Sequence, residues 1–162
     1  MRVEALFAGC ALLAMSSCAS LEVREAPSHE TAVRQGSPRP EAILRLLAAK
    51  RAERRGDPAG ALAQWQAAVR ADSSSPSLRL GLAKAYSVQS NDSLALVNGR
   101  RSVLLDSNYV DGHLFLAGLY EGRNDFISAA THLEAAFRES KSPETGWQLA
   151  RLYARLARPE ES

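Results

Sequence analysis

Apolar and small residues recur along this chain at helical steps of three and four, and the whole pattern then repeats. Leu46 and Ala49 share one face of a first stretch, and Ala61, Trp65 and Ala68 share one face of a second. The run Leu82-Ala83-x-x-Tyr86 returns as Leu116-Ala117-x-x-Tyr120 and as Leu149-Ala150-x-x-Tyr153, at steps of 34 and then 33 residues. Two sets of small residues keep a step of 34: Ala61, Ala95 and Ala129, and Ala68, Ser102 and Ala136. A period of that length belongs to one structural unit stacked on copies of itself. The pattern therefore predicts a short solenoid of helices, and points towards a binding surface rather than catalysis.

Turn signals divide the pattern into units at residues 42–75, 76–109 and 110–142. The first helix runs from Ala42 to about Arg55 and ends at Gly56-Asp57-Pro58, where aspartate can cap the next helix and proline suits its first position. Ser75-Pro76, Ser90-Asn91-Asp92 and Asn124-Asp125 mark the later turns, and Asp106 closes the second unit. Leu133 joins Ala129 and Ala136 on the return helix of the third unit. Ala52 stands where later units carry tyrosine, and Gly99 stands where the first carries Trp65, which predicts a looser contact at Gly99. Helix axes approach to about 8–10 Å only where the contact residues allow it, so a large side chain at Ala95 or Ala129 is expected to overpack the seam. Ser142-Pro143 opens a last helix, to about Ala157, that repeats the first-helix pattern with Trp147 ahead of Leu149, Ala150 and Tyr153. It reads as a cap with Arg151, Arg155 and Arg158 on a polar outer face; the other reading is half of a groove that a partner completes.

The N-terminus reads differently. Met1 to Glu4 is short and charged, Ala5 to Met15 is an eleven-residue apolar run, and Ser16-Ser17-Cys18 is a small-residue exit, the layout of a secretory signal. The run is too short to span a bilayer, which takes about 20 residues. Met15-Ser16-Ser17-Cys18 resembles the cleavage motif of bacterial lipoproteins, with methionine where that family usually has leucine. The resemblance implies that Cys18 becomes the first mature residue and carries lipid. Cys10 leaves almost no apolar stretch before it and is set aside. Ala19 and Ser20 follow in place of an inner-membrane retention aspartate, so the same resemblance implies the periplasmic face of the outer membrane. The expected organisation is a signal over 1–17, a lipid-anchored tether over 18–39 with Pro27 and Pro38, a helical-repeat domain over 40–158 and a tail over 159–162.

Composition narrows the function. The chain has 162 residues, room for one ordinary domain, and is 46% hydrophobic but only 6% aromatic, so alanine and leucine carry a close-packed helical core. A net charge of +2 and the lack of an aromatic-and-basic motif argue against nucleic acid. Both cysteines precede residue 19, so the folded region has no internal disulfide.

The repeat spacing and residue types resemble the tetratricopeptide repeat family over about residues 41–157. The resemblance implies an all-α fold: a short right-handed α-solenoid of about three antiparallel helix pairs plus a C-terminal capping helix. It also implies a concave side lined by the first helix of each unit, where peptides usually lie. The groove positions carried over are Leu46, Lys50 and Glu53; then Leu80, Lys84 and Ser87; then Leu114, Gly118 and Glu121; and finally Trp147 and Arg151. Some members grip a terminal carboxylate with lysine, asparagine and arginine at fixed positions. Lys50 and Lys84 sit at comparable places here, but the asparagines are absent.

Other chemistry is thin. Arg45, Lys50, Arg51, Arg54 and Arg55 form the densest basic stretch, either a solvated face with Glu53 interspersed or an attractant for anionic lipid or polysaccharide. Trp65 reads as core. His113 and His132 lie on different helices of one unit without the further ligands a metal needs. Asp111 lies near His113, but no nucleophile elbow or phosphate loop accompanies it. The expectation is a non-enzymatic, lipid-anchored scaffold of the bacterial envelope without cofactor or metal, binding a protein or peptide segment. Pilotin-like assistance to secretin assembly and regulation of cell-wall enzymes are its specialised alternatives.

Overall fold

The computed structural model of the chain describes residues 39–157. The signal, Cys18, most of the tether and Arg158 with the tail lie outside the described residues. Among the described residues seven helices follow one another: α1 Pro40–Arg54, α2 Pro58–Ala71, α3 Pro76–Val88, α4 Asp92–Leu105, α5 Val110–Glu121, α6 Phe126–Ser140 and α7 Pro143–Leu156. No strand interrupts them among the described residues, and none of these helices is long and apolar enough to cross a membrane.

Local chemistry sets the boundaries. Proline occupies the first turn of α1, α2, α3 and α7, where its missing N–H costs nothing. Asp57, Asn91 and Asp125 accept the backbone N–H of Gly60, Leu94 and Ser128 at 2.8, 3.2 and 3.1 Å, capping α2, α4 and α6. The residue before each cap is left-handed: Gly56 at φ 69°, Ser90 at 57° and Asn124 at 59°. In each turn the cap residue's N–H returns to the preceding helix, at the carbonyls of Ala52, Tyr86 and Tyr120, within 3.0, 3.0 and 2.9 Å. The period of 34 thus governs backbone conformation as well as packing.

The closest associations are within the pairs α1/α2, α3/α4 and α5/α6, and each pair then packs on the next through α2/α3, α4/α5 and α6/α7. This is an all-α solenoid of helix pairs. The small-residue sets fall on its seams: Ala61, Ala68, Ala95, Ser102, Ala129 and Ala136 are all buried. Ser102 keeps its hydroxyl satisfied by donating to the Gly99 carbonyl at 2.7 Å. One apolar cluster surrounds Trp65, Leu78 and Leu82, and a second surrounds Leu116, Leu133 and Leu152.

The expected looseness at Gly99 is corrected. A β-carbon there would lie 2.9 Å from Leu116 Cδ2 and 3.3 Å from Phe115. One unit earlier, Trp65 faces Gly81, and a β-carbon on Gly81 would come within 2.3 Å of the ring. Residues 65 and 81 correspond, 34 residues on, to 99 and 115. The aromatic has moved to the facing helix and the glycine has moved opposite, so one large and one small partner meet at each interface.

Candidate binding groove

The first helices α1, α3, α5 and α7 carry the groove positions, and α3 also touches α5 directly. At the α1 end, Lys50 Nζ pairs with Glu53 Oε2 at 3.0 Å and lies 5.2 Å from the Trp65 ring centroid. The buried Trp65 indole donates to Glu53 Oε1 at 2.7 Å. Burial pushes the Glu53 carboxyl up, but the hydrogen bonds from Trp65 and Lys50 and the charges of Lys50 and Lys84 outweigh it, holding the group below the usual carboxylate range. A cavity of about 290 Å³ opens beside this network, bounded by Glu53, Pro58, Ala61, Lys84, Ala85 and Val88. Lys84 is exposed and has no carboxylate pair among the described residues.

Further along, Gly118 is exposed with open space where a side chain would stand. Glu121 meets Arg151 Nη2 at 3.6 Å and joins α5 to α7. Leu46, Ser87 and Leu114 are half-buried. Leu80 is corrected: it is buried against its neighbours, so its side chain does not face a ligand. The exposed line is therefore Lys50, Lys84, Gly118 and Arg151; Lys50 and Arg151 are paired with Glu53 and Glu121, which leaves Lys84 as its unpaired cation among the described residues.

The signature tyrosines act between units. Gln66 Nε2 donates to the Tyr86 hydroxyl at 3.0 Å, Arg100 Nε donates to the Tyr120 hydroxyl at 2.8 Å, and the Tyr153 hydroxyl donates to the Glu134 carboxylate. Each bond ties a first helix to the second helix before it. In α7 the packing expectation is corrected. Ala83 and Ala117 are buried, whereas Ala150 is exposed, Leu149 is only half-buried and Tyr153 is 46% exposed. The reason is geometric: among the described residues no second helix follows α7. Its outward face is not wholly polar either, since Trp147 is 74% exposed.

Sequence spacing missed one close pair. His113 Nδ1 and His132 Nδ1 stand 3.0 Å apart, and His113 Nε2 lies 3.0 Å from the Ser107 carbonyl. That carbonyl can only accept, so the His113 proton sits on Nε2, and His132 Nδ1–H donates to His113 Nδ1. His132 also stacks on Tyr120, with centroids 5.5 Å apart. Burial first, then His113 and Arg100, lower the His132 pKa to about 4. Asp111 is not among the hydrogen-bond partners of His113, so no acid–imidazole pair forms there. No cluster of three metal-binding side chains occurs among the described residues. The only available signal for this pair was two polar rings falling on facing positions of one antiparallel helix pair.

No family profile matches the chain, and nothing among curated proteins matches it in sequence. Solved structures do match. The Sgt2 tetratricopeptide domain from Aspergillus fumigatus superposes with a TM-score of 0.69 at 16% identity, over 78% of this chain and 85% of that one. The first tetratricopeptide domain of Spaghetti (RPAP3), solved with the HSP90 peptide SRMEEVD, gives 0.67 at 17% identity, over 72% and 96%. The TPR2B domain of yeast Sti1, solved as a complex with pHsp70, gives 0.64 at 16% identity, over 74% and 98%. The fold is thus of the tetratricopeptide type, as the 34-residue period predicts.

Proposed function

We propose that this chain is a lipid-anchored tetratricopeptide scaffold of the bacterial cell envelope that holds a protein segment along its first helices. The observation that carries the reading is the division of labour along each unit. Leucine, alanine and tyrosine of the repeat are consumed by packing, while Lys84, Gly118 and Arg151 are left exposed on successive first helices. Two solved domains of the same fold are recorded with HSP90 or pHsp70 segments, which supports a peptide-type partner without naming it. The unpaired Lys84 favours a segment that brings a carboxylate to it.

The anchor reading rests on Met15-Ser16-Ser17-Cys18. Two or more acyl chains hold a protein stably at a membrane, and the tether then keeps the module within some tens of ångströms of it, raising the local concentration of whatever it grips. Metabolic labelling with a fatty-acid probe should mark the wild-type chain and not Cys18→Ala. Unchanged labelling would overturn the anchor. For the groove, Lys84→Glu with Gly118→Trp should abolish partner capture from solubilised membranes while leaving helical content unchanged. Capture that survives both substitutions would overturn the groove assignment.

A further inference from the structure

One face of α1 has no partner helix among the described residues, and it combines exposed apolar residues with a cluster of arginines. Projected at about 100° per residue, Ile43, Leu44, Leu47 and Ala48 share an arc of about 140° with Arg51, Arg54 and Arg55. The apolar members fill the first half of that arc along the helix and the arginines fill the second. Leu44 is 67% exposed and Leu47 57%, whereas the opposite arc buries Ala42, Ala49 and Ala52 completely or nearly so. None of the three arginines pairs with a carboxylate among the described residues.

A groove of about 630 Å³ runs beside this arc, between α1 and α2, with Leu44, Leu47 and Ala52 on one side and Gln64 on the other. The lining exposed to an occupant is apolar at Leu44 and Leu47 and cationic at Arg51, Arg54 and Arg55, which suits an occupant with apolar surface and negative charge. The position of the face narrows the choice. It belongs to the first described helix, which follows the N-terminal 38 residues with their apolar run and Cys18 in the sequence.

We propose that this face of α1 docks on an anionic phospholipid surface. Leu44 and Leu47 enter the boundary between headgroups and acyl chains. Arg51, Arg54 and Arg55 meet the phosphates. The contact sets the orientation of the module: α1 lies against the membrane and the later units project from it. The proposal extends the anchor reading, because a tether alone leaves orientation undefined.

The test uses the chain from Ala19 onwards, which keeps all seven described helices and carries no cysteine, so it is independent of acylation. Flotation with phosphatidylglycerol-containing vesicles should recover the protein, while pure phosphatidylcholine vesicles should not, and added salt should weaken recovery. Replacing Arg51, Arg54 and Arg55 together by glutamate should lower partition at least about a hundredfold, at roughly fivefold per cation near such a surface. Leu44→Ser with Leu47→Ser should lower it about tenfold or more. Circular dichroism of both variants establishes that they are folded, and the substituted residues are exposed, so each gives a reading of its own. The proposal is overturned by absence of binding to anionic vesicles, by equal binding to neutral ones, or by indifference to both sets of substitutions. Binding of an acidic amphipathic helix in place of vesicles would assign the face to a protein and overturn it too. None of these outcomes bears on Cys18 labelling, so anchor and docking face fail separately.

Discussion

Trp65 and Gly81 are matched in size across the first interface between units: the ring occupies the space where a β-carbon on Gly81 would come within 2.3 Å of it. The ring atoms are held by the indole bond to Glu53 at 2.7 Å, so Trp65 cannot swing aside without losing it. Gly81→Ala should therefore overpack the seam and cost about 1–3 kcal/mol. Gly118→Ala is the control, since nothing lies within 4 Å of its added β-carbon. An exposed helical glycine replaced by alanine should gain about 0.5–1 kcal/mol. Urea unfolding of the two variants measures both, and the account requires opposite signs.

The tyrosine bonds between units are a second, polar set of contacts. Tyr120→Phe removes the acceptor of Arg100 Nε and leaves the ring in place. A loss of about 1 kcal/mol is expected, with little change in helical content. Tyr153→Phe breaks a bond on an exposed face and should cost less than about half as much. Thermal melts of the two variants side by side give the comparison.

Acid should loosen the third unit before it protonates the carboxylates. The folded His132 pKa, about 4, lies below the ordinary 6.5, so the folded state prefers the neutral ring. Its contribution to stability is complete above about pH 6.5, falls as pH drops towards 4 and is lost below that. The whole shift corresponds to about 3 kcal/mol; because the ring is half-exposed, a loss of about 1–2 kcal/mol is the reasonable expectation. Glu53 and Asp72 act in a lower window. Burial raises both groups, but hydrogen bonds and nearby cations lower them further, so their stabilisation is lost as pH falls below about 4. Unfolding midpoints measured between pH 7 and 5 should decline in the wild type and stay flat in His132→Gln.

How much of this was legible in the residues depended on whether a feature repeats. Leu82, Leu116, Ala95 and Ala129 recur at a fixed step, and the period alone placed them on seams. The turns were legible because Gly56, Ser90 and Asn124 each precede a capping Asp or Asn. What escaped was relational. Gly99 looked like a defect because its compensation, Phe115, sits on the facing helix 16 positions later. Leu80 looked like a groove residue because one-dimensional carry-over cannot tell which neighbours cover a side chain. The histidine contact joins two helices whose relative rotation no spacing rule fixes. In α7 the residue types match the repeat, but burial of Ala150 needs a following helix, and residue type alone says nothing of that.

The central claim is that the first helices, and not the outer surface, hold the partner. A photoreactive amino acid placed at Lys84 or Gly118, and separately at the exposed Leu104 on second helix α4, tests it in intact cells. The account predicts one common crosslinked species from positions 84 and 118 and none from position 104. Crosslinking from Leu104 alone, or equally from all three positions, would contradict it.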